Sequence, residues 1–267
     1  MPTSSHPKLT PPVPPCEPSG PRAAKSAHPT DREKANSREH GKPDENLTVV
    51  CFGASAGGFE AYCLILSLLP SDTGMAYIIV HHQPADGKSL LVDILPRITE
   101  MPVILVADGE CVRADHVYVV PAGMQVTMDG DEFRIGAIHK APGWPKNITV
   151  FLKSLAEDRQ KRAIAVILSG FDSDGAAALK SIKEAGGIVF AQEFRTAKQP
   201  DMPQSAVKTG CVDRLLQPAE IAFQLARIAE ERARLRETLA LPTESALPKG
   251  GTSNPTRKKK PRMAPIG

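Results

Sequence analysis

Apolar and polar residues change period several times along this chain, and each change marks an element. Short β-branched runs such as LTVVCF at 47–52, AYIIV at 76–80 and AIAVIL at 163–168 contain almost no polar position to turn toward water. Each therefore reads as a strand buried on both faces. Similar runs at 102–106, 117–120, 187–191 and around 211–215 extend the set to seven. Between them, segments at 57–69, 88–97, 148–157, 175–185 and 218–235 carry helical periodicity. Strands alternating with helices predict a doubly wound α/β domain built on a mostly parallel sheet. QVTMDGDEFRIG alternates instead, and Asp129-Gly130 can supply the positive φ values of a tight turn, so an antiparallel β-hairpin is expected there.

The pattern stops at both ends. Residues 1–46 carry PPVPP with Ser, Lys, Asp and Glu but hardly an aliphatic side chain, which predicts a disordered Pro-rich tail. From 237 to 267 the chain returns to Pro, Ser, Gly and Lys and includes TRKKKPR, predicting a disordered basic tail. A single domain over 47–236 remains. The formal net charge is only +3 and the basic stretches lie at the ends, so the folded part offers no stripe for nucleic acid. The five cysteines, Cys16, Cys51, Cys63, Cys111 and Cys211, are odd in number and lack close metal-type pairing, as expected of reduced residues and no metal site. No signal-type segment follows the first methionine, and no apolar stretch approaches the ~18 residues of a membrane span, so a cytoplasmic protein without membrane insertion is expected.

Loops at the carboxyl ends of parallel strands line one crevice, which makes residues just after strands the first candidates for chemistry. GASAGG follows the first strand, His81-His82-Gln83-Pro84 the second, and SGFDSDG the run ending at Leu168. Ser55, His82 and Asp174 thus reach one rim from three separate strands, which is the composition of a hydrolytic triad. Gly53-x-Ser55-x-Gly57 also fits a nucleophile elbow, with a helix start behind it to stabilise an oxyanion. A dinucleotide site is the rival reading of the same glycines. It fits less well, because the second strand ends in two histidines and none of Tyr62, Tyr77 or Tyr118 has a lysine four residues on. Simpler roles compete for each residue: Ser55 and Asp174 could be helix N-caps, His81, His116 and His139 are other bases, and Asp172 is another acid.

The motifs GASAGGFEAY, VHHQPADGKSLLVDIL, HVYVVPAG, FLKSLAED, AVILSGFDSDGAAALKSIKEAGGIVFAQE and MPQSAVKTGCVD occur in this order. Together they make residues 47–225 resemble the catalytic domain of CheB-type protein-glutamate methylesterases, chemotaxis enzymes that remove methyl groups from receptor glutamates. The resemblance implies that Ser55 is the nucleophile, His82 the general base and Asp174 the residue orienting it. It favours His82 over His81 because Val80-His81-His82 matches the family's Val-Gln-His, and Asp174 over Asp172 because Asp174 immediately precedes Gly175. It further implies a hydrolase without cofactor or metal, acting on the methylated helical cytoplasmic domain of a chemoreceptor-like protein and able to deamidate glutamine. The wording is similar to esterase modules fused elsewhere to a receptor methyltransferase. Residues 1–46 are too short and Pro-rich for the receiver domain of the common chemotaxis form, so control by phosphorylation within this chain is not expected. Ala56 where threonine is frequent, Phe171 where methionine is common, and Asn147-Ile148-Thr149 where fused modules read Pro-Ile-Asp are departures. They motivate an alternative, a catalytically weak protein-binding module in a signalling complex.

Overall fold

The computed structural model describes residues 46–82, 90–137 and 146–240. Seven strands, β1 (Thr48–Ala54), β2 (Met75–His81), β3 (Val103–Leu105), β4 (Val117–Val119), β7 (Ala163–Ile167), β8 (Ile188–Gln192) and β9 (Arg214–Leu216), pair in the order β3-β4-β2-β1-β7-β8-β9. Every pairing in this sheet is parallel. The hairpin β5 (Met124–Asp129) and β6 (Glu132–Ala137) forms a separate antiparallel sheet. The antiparallel part expected within the main sheet is therefore a small layer of its own. Its turn is also shifted: Asp129 pairs with Glu132, so Gly130 (φ 62°) and Asp131 form the two-residue loop. Gly130 supplies the left-handed conformation at the first loop position.

Strands rich in Val and Ile bury both faces because each face has its own cover. Val49 and Cys51 of β1, Ile78 of β2 and Ala165 of β7 join one core, closed by Ile148, Phe151 and Leu155 of helix α3 (Asn147–Arg159) and by the hairpin's Val126, Met128 and Phe133. Val50, Phe52, Tyr77, Ile79 and Val166 join the other core, closed by Tyr62 and Ile65 of α1 (Gly58–Leu68) and by Ile221 and Leu225 of the terminal helix Pro218–Ala240. Large side chains buried this fully contribute about 1.5–3 kcal/mol each. The hairpin is fastened to α3 by a charge buried in the core: the Arg159 guanidinium, 3% exposed, meets Asp131 at 2.5 Å and donates to the Gly130 carbonyl.

The chain order reverses between β1 and β7, since β2, β4 and β3 extend the sheet to one side and β8 and β9 to the other. A crevice opens at such a reversal, outside the carboxyl ends of the two strands. Of the other helices, α2 (Leu91–Ile94) is one turn long and α4 (Leu179–Glu184) follows a 3-10 turn at Ala176–Ala178. Helix α5 (Asp201–Lys208) escapes the sequence pattern because it is short and contains Pro203. Proline is harmless there, near the helix start, where an amide has no intrahelical acceptor. The terminal helix, α6, runs to Ala240, four positions past the domain limit drawn from the sequence.

Candidate active site

The rim at the chain reversal is assembled by main-chain hydrogen bonds. The Ser55 amide donates to the Ser169 carbonyl at 3.0 Å, the His82 amide to the Ala54 carbonyl at 3.1 Å, and the Leu168 amide to the Gly53 carbonyl at 2.9 Å. Ser55, His82 and the loop after β7 are thereby tied to three neighbouring strands. Buried Ser169 adds a side-chain link: its hydroxyl donates to the Ala56 carbonyl at 2.8 Å and accepts from the Gln199 amide at 2.9 Å.

The turn after Ser55 depends on a glycine. Gly57 has φ 76° and is the N-cap of α1, with no side chain capping the helix. A Cβ on it would come within 2.5 Å of Lys198 Cβ and 2.8 Å of Ser169 Oγ. Ser55 is not among the residues with positive φ, so the left-handed step of this turn falls on Gly57 and the serine is free of the strain of a hydrolase elbow. Nor does the Ser55 hydroxyl cap α1; it is the Ser55 carbonyl that accepts the Gly58 amide. Among the described residues no hydrogen bond takes up the Ser55 hydroxyl or the amides of Ala56 and Gly57.

Asp174 is fully buried and collects donors. Its Oδ2 lies 2.8 Å from His82 Nε2 and accepts the Ile148 amide at 2.9 Å. Its Oδ1 accepts the Thr149 amide at 3.0 Å, the Thr149 hydroxyl at 2.6 Å and the Gly175 amide at 2.8 Å. Asp174 therefore does not cap the helix that follows it. It caps α3, whose first amides point at it with the positive end of the helix dipole. Burial alone would raise its pKa, but donation from His82, Thr149 and Ile148 outweighs that and holds the carboxyl below its ordinary value. With Asp174 ionised and acting only as an acceptor, Nε2 of His82 is the donor of this bond.

The competitors lie elsewhere. His81 points to the α1 side, edge-on to Tyr62 with ring centroids 5.8 Å apart, and burial, with His82 nearby, lowers its pKa to about 4. His116 stands before β4, at the amino end of the sheet, with Nδ1 on the Ala114 carbonyl at 2.7 Å. His139 lies outside the described residues. Asp172 adopts φ 77° and pairs with Lys146 at 3.0 Å. Phe171 is 53% exposed in the same loop. Thr149, singled out in the sequence only as a departure, is a direct partner of Asp174, a role that nothing in its local pattern signals.

A family model described as CheB methylesterase matches residues 50–225. The chain belongs to the CheB methylesterase family. A relative from Geobacter sulfurreducens named protein-glutamate methylesterase/protein-glutamine glutaminase 3 is 31% identical over 179 residues, covering 66% of this chain and 48% of its own length. A putative protein-glutamate methylesterase/protein-glutamine glutaminase from Leptospira interrogans is 30% identical over 192 residues, 72% of this chain and 100% of that protein. The chain thus spans about half the length of the Geobacter relative, at 48%, and all of the Leptospira one. The crystal structure of the Thermotoga maritima CheB methylesterase catalytic domain superposes with a TM-score of 0.63 at 25% identity, covering 68% of this chain and 98% of that one. The seven-stranded parallel sheet with its separate hairpin is accordingly the fold of a CheB methylesterase catalytic domain.

Proposed function

We propose that this protein is a cytoplasmic serine hydrolase that demethylates glutamate γ-methyl esters, with Ser55 as nucleophile, His82 as base and Asp174 as the residue orienting the base. The observation that carries the reading is the 2.8 Å contact of His82 Nε2 with the buried Asp174 carboxylate, on the loop next to Ser55. Nδ1 of His82 takes the hydroxyl proton as Ser55 Oγ attacks the ester carbonyl. The oxyanion is held by the Ala56 and Gly57 amides at the start of α1. Collapse expels methanol, which leaves with the proton carried by His82. Water, deprotonated in turn by His82, hydrolyses the acyl-enzyme and frees both the glutamate and Ser55. Glutamine deamidation follows the same steps with ammonia leaving. The reading requires Ser55 Oγ and His82 Nδ1 to lie within bonding distance in the substrate complex.

The substrate is the methylated helical cytoplasmic domain of a chemoreceptor-like protein. The exposed Phe171, in the loop that carries Asp174, suits contact with a protein surface. The weak-module alternative loses one of its supports, because Thr149 donates to Asp174 where it was suspected of impairing the site. Incubation with radiomethylated receptor domain should release methanol from the wild type and none above background from Ser55→Ala. No release by folded wild type would rule out the esterase.

A further inference from the structure

At the amino ends of the strands, opposite the Ser55 rim, a cavity of about 680 Å³ is lined by Asn46, Thr48, Lys161, Arg162, Arg232, Leu235 and Arg236. Four of these side chains are cationic. Lys161 and Arg162 come from the 3-10 turn Gln160–Arg162 that leads into β7, while Arg232 and Arg236 stand one turn apart on α6. Among the described residues no carboxylate lies within ion-pair distance of any of the four. Other arginines of the same helix behave differently: Arg227 pairs with Glu231 and Arg234 with Glu230.

The cluster is held in place by neutral acceptors. Arg232 donates to the Thr48 hydroxyl and to the Lys161 carbonyl at 3.0 Å, and Arg236 donates to the Asn46 carbonyl at 3.0 Å. Arg162 Nε is buried from solvent with no hydrogen-bond partner. Burial, followed by the nearby charges of Arg236 and Arg162, lowers the pKa of Arg232. Like charges so gathered repel one another and destabilise the fold unless an anion compensates them. Guanidinium groups offer paired donors that match phosphate oxygens, and Leu235 adds an apolar wall beside them.

We propose that this cavity binds a small, multiply charged phosphate-type anion, such as a diphosphate or a phosphorylated metabolite. Its volume suits a small molecule better than a nucleic-acid strand, and its place at the far end of the sheet keeps it clear of Ser55, His82 and Asp174.

The test titrates the full chain with inorganic pyrophosphate at ionic strength held constant with chloride. Wild type should melt several degrees higher at saturating pyrophosphate. Arg162→Gln/Arg236→Gln should bind at least tenfold more weakly, lose that rise, and melt higher than wild type without ligand because repulsion is relieved. Lys161→Gln, an exposed position, should weaken pyrophosphate binding severalfold, and it supplies the comparison if the double variant fails to fold. Esterase turnover should be unchanged in Lys161→Gln. No rise in wild type, or an equal rise in wild type and the folded variants from binding elsewhere, for example to TRKKKPR, would overturn the site. So would pyrophosphate binding that appears only in Asp44→Asn/Glu45→Gln, since the chain's own acids would then be the occupant.

Discussion

Asp174 joins stability to chemistry in one carboxylate, and substitutions around it separate the two. Thr149→Val keeps the shape but removes a donor to Asp174 and an acceptor for the Gly175 amide, at a cost of about 1–3 kcal/mol. Denaturant unfolding should show that loss, methyl release should fall with it, and Thr149→Ser should restore both. Ser55→Ala and His82→Ala should each reduce methyl release by several orders of magnitude in the same assay, with Asp174→Asn falling less, while His81→Ala keeps most of it. His81 answers instead to acid. Its pKa of about 4 in the fold lies below the ordinary histidine value of 6.5, so between these values the unfolded chain binds more protons. Its neutral burial therefore favours the fold fully above about pH 6.5, and that benefit declines as the pH falls toward 4, by up to about 3 kcal/mol. His81→Phe should flatten the stability profile across this window. The sequence could propose Ser55, His82 and Asp174 because loops after parallel strands converge. It could not reveal Thr149, whose link to Asp174 spans 25 positions of chain and depends on how α3 sits on the sheet.

Helix α3 and the hairpin act as one element because a buried charge joins them. Arg159→Ala would leave Asp131, 18% exposed, without its cation, and is expected to cost about 3–5 kcal/mol by chemical denaturation. Asp131→Asn keeps an acceptor and should cost less. Asp158 contributes differently: it lies 3.0 Å from Arg159 Nε but is not angled for a hydrogen bond, so Asp158→Ala should have a smaller effect. At this scale the hydrophobic pattern revealed the strands well, since Val and Ile runs bury both faces. It misplaced what hydrogen bonding decides. The hairpin turn moved to Gly130-Asp131 because Asp129 remains paired with Glu132, and the segment after Asp174 begins as a 3-10 turn rather than a full helix.

Across the whole molecule, the two cores on either side of the sheet are closed by side chains between Leu47 and Ala229. A chain trimmed to 46–240 should therefore melt within a few degrees of the full length, whereas cutting at 217 removes Ile221 and Leu225 and exposes one face of β1. A fall of ten degrees or more on the first trim, read by circular dichroism, would place essential packing outside those limits. Helix α6 continues past the limit of 236 drawn from composition, through the charge-rich sequence ERARLRETLA to Ala240, where Ala233, Leu235 and Leu239 are spaced too sparsely among charges to mark a buried face.

The central position of β1 between β2 and β7 also has a temporal consequence. The loop behind Ser55 is fastened to Ser169 across 113 positions of chain, and β7 must pair with β1 before that fastening can form. As the chain leaves the ribosome, Ser55 and His82 emerge long before Asp174, with one edge of β1 bare and nothing to hold the imidazole. Such non-local pairing makes folding slow relative to helical bundles. Regain of esterase turnover after dilution from denaturant should therefore track the slowest tertiary phase rather than early helix formation. A nascent chain stalled short of β7 should be inert and attractive to chaperones.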